Sequence, residues 1–93
     1  MANILKINMG SFSKVNEIPF RLLTSSSGLK KLGYTVEKDS FYAFHIYVEV
    51  VEATNCSLRE RAESIRVLLM NKHFDTEIVE EVPKDLTPMP LPG

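Results

Sequence analysis

The side chains able to do acid–base or nucleophilic chemistry are few: two histidines and one cysteine in 93 residues. His45 stands between Phe44 and Ile46 in an apolar run. An imidazole there could move a proton or ligate a metal, but a half-buried sheet position accounts for it more simply. His73 closes an amphipathic stretch, where an imidazolium would meet the negative end of a helix dipole. Cys56 precedes the same stretch, an environment able to depress a thiol pKa. No spacing joins the three into a nucleophile, a base and an orienting group. With no second cysteine there is no internal disulfide, CxxC pair or zinc-finger spacing. The expectation is a protein that is not an enzyme and that uses no metal or other cofactor.

The run Thr24, Ser25, Ser26, Ser27, Gly28 offers hydroxyls and amides to an anion. A phosphate cradle needs spaced glycines or a Gly-Lys-Ser/Thr ending, and here Leu29 separates Gly28 from Lys30 and Lys31. It reads as a small-residue loop. The carboxylates Glu49, Glu52, Glu77, Glu80, Glu81 and Asp85 match no calcium-loop pattern and read as a solvated face. Charge is uneven: residues 1–38 sum to +4, 39–56 to -3, 57–74 to +2 and 75–93 to -4, which recovers the net -1. A chain this balanced lacks the overall pull of a non-specific nucleic-acid binder, yet its segments favour oriented contact with a charged partner.

These groups must be positioned by a single small domain, expected over residues 1–82, with a proline-rich tail from 83 to 93 that leaves the ladder and is flexible. Pro88, Pro90 and Pro92 alternate and so lack the PxxP spacing read by proline-binding grooves. No run reaches the 18 apolar residues of a membrane span and no signal sequence is readable, which implies a cytoplasmic protein without membrane contact. Residues 3–9 alternate as a strand with Leu5, Ile7 and Met9 on one face. Residues 17–33 suggest a broken helix at about 19–32, a turn at 19–24 and a short helix at about 27–32, stopped by Gly33. Tyr34–Glu37 and Phe41–Ala53 read as a hairpin about a turn at 38–40. In its long arm Tyr42, Phe44, Ile46, Val48 and Val50 form the core row. Phe41, His45 and Tyr47 lie on the other face, which is left open for contact.

Ser57 and Glu60 have capping-box spacing and start a helix at about 58–73. Leu58, Ala62, Ile65 and Leu69 fall within about 60° of one another on the helical wheel and form its core stripe, which Leu68 widens. Val67 and Met70 project from the outward face among Arg59, Glu63 and Arg66, an arrangement suited to an interface. Thr76–Val82 closes the domain as an acidic edge strand.

The segment Tyr42-Ala43-Phe44-His45-Ile46-Tyr47 has the aromatic spacing of the longer RNA-recognition-motif signature except at His45. Phe41–Val82 thus resembles the third strand, second helix and fourth strand of that family. Ser40 and Phe41 replace its basic residue and glycine, Ile4–Met9 has no matching motif, and the closing strand is acidic. The order of the elements is that of a ferredoxin-like β-α-β-β-α-β topology if the broken segment at about 19–32 is helical. Otherwise the fold is an antiparallel meander of three or four strands under one helix; both are α+β. The expected function is a protein-interaction or regulatory module, self-associating as a homodimer or binding a partner protein through the open sheet face and the helix. The alternative is a single-stranded nucleic-acid binder stacking bases on Tyr42, Phe44 or Tyr47, with Arg21, Lys30 and Lys31 on phosphates.

Overall fold

The computed structural model describes residues 3–9, 28–36 and 44–87. Its elements are β1 (Ile4–Met9), β2 (Leu29–Val36), β3 (Phe44–Val50), α1 (Leu58–Asn71) and β4 (Thr76–Val79). The four strands make one antiparallel sheet in the order β2-β3-β1-β4, an α+β fold with the helix on one side. A meander would keep sequential neighbours together. Here β1 separates β3 from β4, and β3 separates β1 from β2, the strand order of a ferredoxin-like sheet. The segment that would complete that arrangement with a first helix, up to residue 27, lies outside the described residues, as does the turn at 38–40.

Period-two patterning decides which face each strand buries. Leu5 and Ile7 of β1 and Ile46, Val48 and Val50 of β3 are fully buried together with Ala62, Leu69 and Phe74. Leu29, Tyr34, Leu58, Ile65 and Ile78 pack at the margin of this core. The helical stripe therefore stands as read except at Leu68, which is 40% exposed: it lies about 80° from Leu58 on the wheel, beyond the reach of the sheet. Of the expected strand 41–53, β3 covers 44–50, residues 41–43 lie outside the described residues, and 51–53 leave the ladder. β4 stops at Val79.

The largest departure is in β2. Residues 29–32 are strand and not helix, and Gly33 ends nothing: it sits at a β-bulge, because Lys31 pairs with Val48 and Gly33 with Tyr47, leaving Leu32 as the extra residue. The chain beyond Pro83, expected to leave the ladder, returns to it at Thr87, which bridges Tyr34 on the outer edge of β2. Residues 88–93 lie outside the described residues.

α1 begins where Ser57, in an extended conformation, accepts a hydrogen bond through Oγ from the Glu60 amide at 3.1 Å. It ends at Asn71, so His73 lies beyond the last turn instead of within it. The Phe74 amide donates to the Leu69 carbonyl at 2.9 Å and the His73 amide to the Met70 carbonyl at 3.0 Å. That pair of bonds is a Schellman ending, with buried Phe74 meeting buried Leu69 as its apolar lock. His73 holds φ 68°, the position glycine usually fills. Its task is a backbone one. His73→Gly should therefore stabilise the domain by about 0.5–1 kcal/mol, read as a raised denaturation midpoint at unchanged m-value.

Candidate interaction surface

The outward flank of α1 gathers five of the expected interface residues: Arg59, Glu63, Arg66, Val67 and Met70 fall between about 80° and 180° from Leu58 on the wheel. Val67 is 45% exposed, Met70 43% and neighbouring Leu68 40%, three large apolar side chains within four residues. Glu63 and Arg66, one turn apart, are joined through the guanidinium Nε at 3.0 Å and through a second, shorter contact from Nη2. That hydrogen bond, more than the attraction of Arg66 and Arg59, lowers the Glu63 carboxyl pKa below its ordinary value and raises that of Arg66. Both groups are solvent-facing, so the pair sets side-chain geometry more than stability. Its sign is nonetheless fixed: a lowered carboxyl pKa gives stability that is present above the unfolded pKa and lost as pH falls through the folded one.

Met70 does more than face outward. Its sulfur accepts a hydrogen bond from the Thr76 amide at 3.3 Å, at the start of edge strand β4. Sequence periodicity placed Met70 on the correct face, but it carries no signal of this tie to a strand six residues on.

The sheet face opposite α1 is less open than expected. Tyr47, offered as a contact residue, is only 5% exposed. It is the cross-strand partner of Gly33, and Leu86 lies over that glycine: a Cβ built on Gly33 would sit 2.8 Å from the Leu86 Cγ. A ring with so little exposure cannot stack on a base. His45, half-buried, aligns with Asn8 and Thr35 on the same face. Lys6 reaches Glu77 across the β1–β4 pair at 3.9 Å. Phe41, Tyr42 and the Phe44 side chain lie outside the described residues, as does Arg21.

Cys56 and His73 stay apart. Cys56 is exposed just before the helix, and His73 follows its far end; a 14-residue helix separates them by about 21 Å. His45 lies at the sheet end where α1 terminates, since its partner Asn8 donates to the Asp75 carbonyl. Among the described residues no three His, Cys, Asp or Glu side chains come together in a metal-binding group. A cleft of about 120 Å³ lined by Glu52, Ala53, Thr54 and Arg61 is well below the roughly 300 Å³ at which small-molecule pockets begin. No helix among the described residues is long and apolar enough to cross a membrane. No protein-family model matches the chain, and neither a curated protein nor a solved structure matches it.

Proposed function

We propose that this protein is a non-enzymatic module that self-associates through the outward face of α1, in a reducing compartment where Cys56 remains a thiol. The observation that carries the reading is the apolar row formed by Val67 and Met70, exposed at 45% and 43% about 60° apart on the outward face of the helix. Exposed apolar clusters rimmed by polar groups are characteristic of contact surfaces. The charges around the row favour a second copy as occupant. Glu63 and Arg66 have opposite signs on the turn before Val67 and Met70, so a two-fold, antiparallel pairing of helices that sets each copy's Glu63 beside the other's Arg66 also lays each Met70 along the aliphatic stem of the other's Arg59. The contact is then isologous and self-limiting, a dimer.

Multi-angle light scattering across a dilution series tests it. The expected result is a concentration-dependent dimer that Val67→Asp and Met70→Asp each weaken by roughly 2 kcal/mol, about thirtyfold in Kd, because each buries a carboxylate without a partner. Thermal unfolding of Val67→Asp should move by no more than about 0.5 kcal/mol of stability, as for most surface changes, whereas Met70→Asp also removes the acceptor of the buried Thr76 amide and should cost about 1–3 kcal/mol. Val67→Asp leaves the Met70 sulfur in place, so it separates loss of contact from loss of the Thr76 tie. A wild-type chain that stays monomeric to its solubility limit, or a dimer indifferent to both changes, overturns the reading.

A further inference from the structure

We propose that the outer edge of β2, notched at Gly33, is a receptor groove for an extended peptide bearing a Leu-Thr pair, and that the chain's own Leu86–Thr87 fills it as an internal ligand. The inference is independent of the α1 surface.

Two backbone bonds define the seat: the Tyr34 amide donates to the Thr87 carbonyl at 2.8 Å, and the Thr87 amide donates to the Tyr34 carbonyl at 2.9 Å. This is the two-way exchange of an antiparallel strand pair, confined to one isolated bridge. The side-chain specificity comes from Gly33. Any Cβ there would stand 2.4 Å from the Thr87 carbonyl oxygen and 2.8 Å from the Leu86 Cγ, so a leucine of the incoming segment occupies the room a side chain would take. Main-chain bonds to a sheet edge together with a pocket for a neighbouring side chain make up peptide recognition by strand addition. β2 is a terminal strand of the sheet and β4, which leads into the strap, is the other, so the segment 80–86 runs from one edge to the opposite one. Glu80, Glu81, Val82, Lys84 and Asp85 in that connection are exposed. Tethering gives the strap a high local concentration over the groove, and a single bridge leaves it displaceable.

The sequence of the internal ligand specifies the class of external one. Thr87 is followed by Pro88, Pro90 and Pro92. In an extended peptide, prolines at every second position remove amides from one edge only, and the intervening residues keep theirs for the receptor strand. From Pro88 onward such a peptide offers no donors to a further strand, leaving only the Leu86 amide on the outer side, so it occupies the edge with little tendency to seed aggregation. The ligand class is therefore an extended, proline-alternating segment headed by Leu-Thr.

The test is a titration of the isotope-labelled full chain, with the strap released by Leu86→Asp and Thr87→Pro, against a synthetic peptide of residues 84–91, followed by amide shifts. Saturable shifts at Gly33, Tyr34 and Thr35, with affinity at least tenfold above that of the wild-type chain, are expected. A peptide carrying Leu86→Asp should produce none. A folded released variant that ignores the peptide, or that responds equally to both peptides, overturns the proposal. If the released variant does not fold, excess peptide carrying a nitroxide at its N-terminus is added to wild-type chain. Selective bleaching of the Tyr34 and Thr35 amides then supports displacement, and bleaching no greater than with the Leu86→Asp peptide refutes it.

Discussion

Leu69→Asp abolishes the folded state at 25 °C. Leu69 is 1% exposed and belongs to the cluster of Leu5, Ile7, Ile46, Val48, Val50, Ala62 and Phe74. Removing a buried leucine side chain alone costs about 2.7–5 kcal/mol, and an aspartate adds the penalty of a carboxylate with no partner among apolar neighbours. The sum is of the order of the entire stability of a domain this size, roughly 5–14 kcal/mol. The Leu69 side chain is also the apolar lock of the helix ending, so its loss loosens the turn into β4 as well as the core, although the backbone carbonyl that accepts from Phe74 remains. Leu68→Asp is the control. One position earlier and 40% exposed, it should change stability by no more than about 0.5 kcal/mol. Near-UV circular dichroism and amide-shift dispersion separate the two: a Leu69→Asp chain that retains native dispersion would mean that α1 does not pack on the sheet through this stripe.

That pair of substitutions also marks what was legible in the sequence. α1 could be read because three independent signals agree: the Ser57 cap, the Leu58, Ala62, Ile65, Leu69 spacing, and charges on the remaining face. β1 and β3 could be read because their apolar residues alternate without interruption. Of β2 only Tyr34–Val36 could be read, and the bulge is the reason the first half was not. Leu29 lies on the core side, Leu32 is the extra residue, and Tyr34 comes back to the core side on the opposite parity. Alternation inverts in the middle of the strand, so Leu29 and Leu32 fall three apart and imitate one turn of helix. The strap was invisible for a related cause. Prolines at 83 and 88 argue against a ladder residue, yet Thr87 between them needs only one bridge at an edge, where proline neighbours do no harm. On the candidate surface, helical periodicity located Val67 and Met70, whereas strand alternation placed Tyr47 on the face away from the core row without revealing that it is only 5% exposed there.

Left-handed backbone positions were equally unreadable, and one of them carries the second large effect. Gly28→Val should cost about 3 kcal/mol. Gly28 holds φ 83°, where a β-branched residue is a severe outlier, and this alone accounts for about 1–2 kcal/mol. The rest is contact: a Cβ at residue 28 would lie 2.6 Å from the Glu52 carbonyl oxygen and 2.9 Å from the Glu52 Cβ. The neighbour cannot step aside cheaply, because the Gly28 carbonyl accepts from the amides of both Val51, at 2.8 Å, and Glu52, at 3.2 Å. Relief therefore means breaking the junction that joins the start of β2 to the end of β3, next to the Leu29–Val50 pair. Gly28→Ala keeps the same φ and the same Cβ overlap without the branch, and should cost less. His73 occupies the same backbone region but is exposed and is not glycine, so substitution there runs in the opposite direction. Denaturant midpoints for Gly28→Ala, Gly28→Val and His73→Gly, measured together, test the backbone account as a set. A Gly28→Val penalty below about 1 kcal/mol would mean that residue 28 adopts an ordinary right-handed conformation and that the β2–β3 junction is built differently.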